Sequence, residues 1–192
     1  MIAIIKYNGG NVSSVQNALN RLGAESIITD DFELIKNADK VIFPGVGEAS
    51  STMKILKEKR LDQIIPTLKQ PVLGICLGMQ LMCKNNEEGN TVGMGIFDLN
   101  VKKFPAKDIV PHMGWNTISN FKSTIYSGVK EESDIYFVHS FYCELSENTT
   151  AVCDYILPFS ASLQKDNFYA MQFHPEKSGK IGSQLLQNFL KL

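Results

Sequence analysis

The chain has 192 residues, 44% of them hydrophobic and 20% charged, the make-up of a soluble globular domain with a sizeable core. A formal net charge of -1, from 19 basic and 20 acidic side chains, gives no electrostatic reason to bind nucleic acid or a membrane surface. No apolar run approaches the ~20 residues needed to cross a bilayer as a helix.

The start, Met1-Ile2-Ala3-Ile4-Ile5-Lys6, lacks the basic opening and cleavage site of a signal peptide and reads as a first buried strand. Asn8-Gly9-Gly10-Asn11 is a turn. Val12, Val15, Leu19 and Leu22 then recur at helical spacing, and Gly23 stops the run. Ser26-Ile27-Ile28 reads as a second strand, and Val41-Ile42-Phe43 as a third, broken by Pro44-Gly45-Val46-Gly47. A helix is predicted from about Ala49 to Lys59 and a strand from Pro71 to Ile75. Such alternation implies parallel βαβ units with both sheet faces covered.

The second half is richer in strand, at Ile135 to Val138, Ala151 to Ile156, Phe159 to Leu163 and Phe168 to Phe173. A last helix, from about Gly179 to Leu190, carries Ile181, Leu185, Leu186 and Phe189 on one face. The expected fold is therefore α/β, with a mostly parallel central sheet flanked by helices, as one domain over residues 1–192. Cys76, Cys83, Cys143 and Cys153 lie in apolar, regular segments, so reduced thiols in the cytoplasm are expected. Without a CxxC or HExxH pattern, no metal is expected.

Gly74-Ile75-Cys76-Leu77-Gly78 carries the most chemistry. It is a G-x-C-x-G form of the nucleophile elbow, in which a strand turns sharply onto a helix and projects the central side chain outward. The glycines are needed because a Cβ on either side would collide in so tight a turn. A helix N-terminus favours the thiolate, the attacking form of cysteine, and the Leu77 N–H would face a developing oxyanion. An ordinary buried structural cysteine is the alternative, and it is the reading for Cys83, Cys143 and Cys153.

A cysteine nucleophile needs a base, and the base an orienting group. His174 closes a strand and is followed by Pro175-Glu176, which suits an imidazole held by the Glu176 carboxylate. His112 reads as a hydrogen-bonded structural histidine, and His139 is a weaker base because no carboxylate follows it closely.

With Pro44-Gly45-Val46-Gly47, Gly74 to Gln80 and Phe173-His174-Pro175-Glu176 in this order, the chain resembles the class I, or triad, glutamine amidotransferases along nearly its whole length. The resemblance implies a flavodoxin-like domain with Cys76, His174 and Glu176 as catalytic triad, and no cofactor or metal. It implies oxyanion contacts from the backbone of Leu77, Val46 and Gly47, and glutamine contacts from Gly47, Gln80, Ser140 and Phe141. Pro111-His112-Met113-Gly114-Trp115-Asn116, Tyr136 to Ser140 and Pro158-Phe159-Ser160 narrow the likeness to glutaminases that feed histidine biosynthesis. The implied partner is a (β/α)8-barrel cyclase that uses the ammonia to form imidazole glycerol phosphate. Asn11, Trp115, Asn116, Tyr136 and Lys177 are implied on the partner-facing surface, with core packing the alternative for Trp115 and Tyr136. The first loop reads Lys6-Tyr7-Asn8-Gly9-Gly10-Asn11 where the family commonly has D-Y-G-x-G-N. Phe141 stands where Tyr is common, which leaves it a backbone role.

Glycines on both sides of Val46 let that peptide rotate. An oxyanion N–H from Gly45 to Gly47 is therefore expected to point away in the isolated chain and to turn inward on partner docking, against the alternative of a rigid, preformed turn. Two other functions fit the same chain, a paralogous glutaminase serving another synthase and a non-catalytic binding module, and an intact Cys76, His174 and Glu176 weighs against the second.

Overall fold

Alternate residues of the first strand, β1 (Ile2–Ile5), enter different apolar clusters, Ala3 and Ile5 one and Ile2 and Ile4 the other, so the strand is buried on both faces. The computed structural model describes residues 1–7 and 11–192, and the Asn8 to Gly10 part of the expected first turn lies outside the described residues. Helix α1 (Val12–Arg21) packs Val15, Ala18 and Leu19 inward, and Gly23, at φ 72°, turns the chain after it. β2 (Ser26–Thr29) pairs in parallel with β1. The short α2 (Phe32–Lys36) has no sequence expectation, since five residues are too few to display a helical period. Asp31 starts it by accepting the Leu34 N–H at 2.9 Å.

β3 (Lys40–Gly45) continues through Pro44, where a break is expected. Its pairing with β1 ends at Ile42, so Pro44 has a strand neighbour only in β4 (Val72–Cys76), and the missing N–H is tolerated there. α3 (Ala49–Glu58) is capped by Glu48, whose carboxylate accepts from the Ser50 and Ser51 amides, and α4 (Leu61–Ile64) follows. After β4 come α5 (Leu77–Met82), β5 (Cys83–Asn86), β6 (Thr91–Val92), β7 (Phe97–Lys103) and β8 (His112–Ser119). The remainder is β9 (Ser133–His139), β10 (Phe141–Cys143), β11 (Thr149–Tyr155), β12 (Leu157–Lys165), β13 (Phe168–Met171) and α6 (Gly179–Leu190).

The central sheet has nine strands in the order β2-β1-β3-β4-β13-β12-β11-β8-β9. β2, β1, β3, β4 and β13 are parallel, and β12, β11, β8 and β9 continue the sheet antiparallel. A second, four-stranded sheet, β10-β7-β5-β6, contributes Phe97 and Val101 to the apolar cluster shared with α3, α4 and α5. The other cluster lies under α1 and α6, where Leu185, Leu186 and Phe189 point inward. This is the expected α/β architecture of a central sheet flanked by helices.

Register decides what meets at the carboxyl ends of the parallel strands. Gly45 of β3 lies beside Cys76 of β4, and β13 pairs Met171 with Ile75, so the residues after Met171 emerge on the other side of Cys76. Ligand sites of open α/β sheets form at such ends.

Candidate active site

β4 ends at Cys76 and α5 begins at Leu77, so the reversal falls on the cysteine itself, with φ 54° and ψ -111°. Such a conformation costs a non-glycine residue roughly 1–3 kcal/mol and persists only where its surroundings enforce it. Here the enforcement is close packing. A Cβ on Gly78 would lie 2.0 Å from the Phe43 carbonyl oxygen, and one on Gly45 would lie 2.5 Å from the Gly78 amide nitrogen. β3 therefore rests directly on the first turn of α5. A Cβ on Gly74 would meet the Met82 sulfur at 2.7 Å, which is the collision expected of the flanking glycines.

His174 follows β13 and donates its backbone N–H to the Tyr136 carbonyl, while its own carbonyl accepts from the Ser178 hydroxyl at 2.6 Å. Its ring Nδ1 lies 2.8 Å from Glu176 Oε1, and the two side chains are 2% and 1% exposed. Burial alone lowers the imidazole pKa, but the neighbouring Cys76 sulfur and the Glu176 carboxylate outweigh it and raise the value to about 10. Nε2 has no partner in hydrogen-bond geometry among the described residues. On the sulfur, the thiol donates to the Val138 carbonyl at 3.8 Å, and Gln172 Nε2 donates to Sγ at 3.8 Å. The arrangement is a buried cysteine sulfur, an imidazole whose Nε2 is unpaired among the described residues, and a carboxylate behind that imidazole.

Cys76 and His174 open into a cavity of about 320 Å³ that Val46, Gly47, Leu77, Gln80, Ser140 and Phe141 also line. Gln80 donates Nε2 to the Phe141 carbonyl and to Gln172 Oε1, and accepts from Asn86 through Oε1, which leaves one acceptor lone pair of the amide. Gly47 has φ 110°, a value reserved for glycine, and Val46 beside it is 38% exposed. The buried Tyr7 hydroxyl donates to the Pro44 carbonyl at 2.8 Å, which ties the first loop to this segment.

Glu88, which sequence reasoning does not single out, also lines the cavity. Its carboxylate accepts the Ala49 N–H at 2.8 Å, and partial burial shifts its pKa upward. It lies between β5 and β6, and only the fold brings it to Cys76; no local motif marks it.

His139 and His112 stand as hydrogen-bonded, uncharged rings. His139 is pushed down to about 3 and His112 to about 4, in both cases by burial first. Their ring nitrogens face each other at 2.9 Å.

Of the residues expected toward a partner, Trp115 is 58% exposed and packs edge-on against its cross-strand neighbour Tyr136 at 6.0 Å, so the core-packing alternative fails for Trp115. The Lys177 ammonium lies 6.0 Å over the Tyr136 ring. Asn116 donates to His112 Nε2 and to the Asp154 carbonyl, and Asn11 reaches Glu176 Oε1 at 3.5 Å. Met113 and Ile109, 67% and 76% exposed, share a shallow cleft with Trp115 and were not anticipated.

A cysteine elbow beside a His–Glu pair at the carboxyl ends of the parallel strands of an α/β sheet defines a cysteine hydrolase. The chain belongs to the glutamine amidotransferase class-I family, whose model matches residues 3–192. Within that family it is similar to the imidazole glycerol phosphate synthase subunit HisH of Bacteroides fragilis strain YCH46, at 60% identity over 100% of this chain and 99% of that protein. The HisH subunit of Haemophilus influenzae is 44% identical, covering 99% of this chain and 96% of its own length. Among solved structures, a GMP synthase protein from Thermoplasma acidophilum has a TM-score of 0.77 at 21% identity, with 100% of this chain and 92% of that one covered. PurLQS from Thermotoga maritima scores 0.74 at 16% identity, covering 99% and 97%. At such identities these two structures speak for the fold.

Proposed function

We propose that Cys76, His174 and Glu176 act as a triad that hydrolyses glutamine to glutamate and ammonia. The observation that carries this reading is the buried 2.8 Å His174–Glu176 pair set beside a strained cysteine elbow, with Cys76 and His174 lining one cavity. Cys76, as thiolate, attacks the side-chain amide carbon, and the oxyanion is met by the Leu77 N–H and an N–H of the Val46–Gly47 segment. His174 protonates the departing ammonia, leaving a thioester, and then takes a proton from the water that releases glutamate. Glu176 holds the imidazole and stabilises its charged form. The amino-acid end of the substrate is held by the backbone of Gly47, Ser140 and Phe141, by the remaining lone pair of Gln80, and by Glu88 as counter-charge to the α-ammonium.

The chain is the glutaminase subunit of imidazole glycerol phosphate synthase, the assembly its HisH relatives are named for. Its ammonia passes to a (β/α)8-barrel cyclase, which makes imidazole glycerol phosphate and aminoimidazole-carboxamide ribonucleotide in histidine biosynthesis. Asn11, Trp115, Asn116, Tyr136 and Lys177 face that partner. The chain works as one domain in the cytoplasm, and no helix among the described residues is long and apolar enough to cross a membrane. Docking turns the second oxyanion donor inward at the glycine-flanked Val46, a motion for which the glycine-only φ at Gly47 leaves room.

Glutamine hydrolysis by the chain alone, with the cyclase, and with cyclase plus its nucleotide substrate is the test. Hydrolysis that rises at each step, with ammonia appearing in imidazole glycerol phosphate, is the expected result. Full activity in the isolated chain overturns the gating, and hydrolysis without that product points to a paralogous synthase.

A further inference from the structure

Gln172 lies outside the triad, one residue beyond the Met171–Ile75 pair and therefore beside Cys76. Its side chain is fully buried, with Nε2 3.8 Å from Cys76 Sγ. A carboxamide can offer either end to a sulfur, so its orientation needs a cause. Gln80 Nε2 donates to Gln172 Oε1 at 3.0 Å, which leaves the N–H end of Gln172 for the sulfur. Gln80 is itself oriented by the Phe141 carbonyl, which accepts its Nε2 at 3.1 Å, and by Asn86, which donates to its Oε1 at 3.3 Å.

The Phe141 carbonyl also faces His139 Nδ1 at 2.7 Å, and a carbonyl can only accept. His139 Nε2 is then an acceptor for the proton on His112 Nδ1, 2.9 Å away. His112 Nε2, in turn, accepts from Asn116 Nδ2 at 3.2 Å. From Asn116 to the nucleophile, one self-consistent set of donors and acceptors fits every bond.

We propose that Gln172 is a positioning residue for the hydrolysis, giving an N–H to the Cys76 sulfur and stabilising its thiolate, and that the chain from Asn116 through Gln80 holds it in that orientation. The Val138 carbonyl, at 3.8 Å from the same sulfur, suits the thiol proton and repels a thiolate, and a fixed N–H offsets that repulsion. The titratable groups that face Cys76 from other elements are His174, with Glu176 behind it, and Tyr7.

This assignment rests on the proposed role of Cys76, but its test reads the sulfur without glutamine. Alkylation of the full chain by iodoacetamide is followed against pH in the native protein, Gln172→Met and Gln172→Glu. A Cys76→Ala sample subtracts any reaction of Cys83, Cys143 and Cys153, which are all buried. The midpoint is expected to rise by about one pH unit in Gln172→Met and further in Gln172→Glu, where a carboxylate replaces the donor. In the glutaminase assay kcat falls about tenfold or more with KM nearly unchanged. A folded Gln172→Met chain with an unmoved midpoint overturns the proposal and leaves Gln172 a packing residue. Should neither variant fold, Gln80→Met frees the Gln172 amide to turn, and there too a raised midpoint supports the chain and an unmoved one overturns it. Shifted midpoints in a chain that never hydrolyses glutamine would sink the proposed function and keep the Gln172 assignment.

Discussion

Histidine has opposite electrostatic parts in this chain. His174 keeps its proton to about 10 because Cys76 and Glu176 outweigh burial, whereas His139 and His112, buried against each other, fall to about 3 and 4. Ring-proton NMR is expected to show the His112 and His139 signals without a titration between pH 5.5 and 8, and a midpoint near 6.5 for either would refute their neutral pairing. The sign for stability follows. In the unfolded chain both rings titrate near 6.5, above their folded values, so their contribution is present above about pH 6.5 and is lost as pH falls toward 4. The unfolding free energy should drop by up to about 1.4 kcal/mol per pH unit for each proton taken up, as read by urea titration at several pH values. His174 has the opposite sign, its contribution being present below about pH 6.5 and lost as pH rises through about 10.

Two carboxylates at the site separate by kinetics. Glu176 pairs with His174 and does not line the cavity, so Glu176→Gln should lower kcat by roughly 10²-fold or more and leave KM nearly unchanged. Glu88 lines the cavity and is tied to the Ala49 amide, so Glu88→Gln should raise KM for glutamine by about 10- to 100-fold with kcat largely retained. A Glu88→Gln chain with native KM would remove it from the substrate's amino end. The sequence marked Glu176 through its closeness to His174, but Glu88 and Gln172 become neighbours of Cys76 only through pairing register and the second sheet, which no local spacing encodes.

At the scale of elements, legibility followed two-sided burial. β1 and β4, buried along their whole length, and α6, with a full inward stripe, announce themselves by unbroken or periodic apolar residues. β7 and β8 mix buried residues with Lys, Asn and an exposed Trp, and β5 and β6 are four and two residues long, so neither period nor length gives them away. The elbow was legible for a different reason, because its glycines answer a steric demand. That demand is testable at Gly78, where the Phe43 carbonyl leaves a Cβ no room and cannot move without pulling β3 from β4. Gly78→Ala should cost about 3 kcal/mol or more of unfolding free energy in urea, well beyond an ordinary surface change. A loss under 1 kcal/mol would mean that the junction yields and that the elbow is not held by packing.

For the whole molecule, the distribution of apolar surface bears on the partner. Met113 and Trp115 are two residues apart on β8 and so project from one face, Tyr136 borders Trp115, and Lys177 lies over the Tyr136 ring. Behind them, His112 and Asn116 on the opposite face of the same strand begin the hydrogen-bond chain that ends at Cys76. A surface and a nucleophile joined through one strand allow docking to alter chemistry without a large movement, since only the shared strand must shift. On the proposed assembly, Trp115→Ala should weaken cyclase binding by about 2 kcal/mol, some 30-fold in Kd by calorimetry, the loss typical of an aromatic anchor. If the strand also transmits the signal, hydrolysis in the saturated complex should fall while hydrolysis by the isolated chain stays the same. Weaker binding with full hydrolysis at saturation would keep Trp115 as an anchor and place the coupling elsewhere, and native affinity would remove this face from the interface altogether.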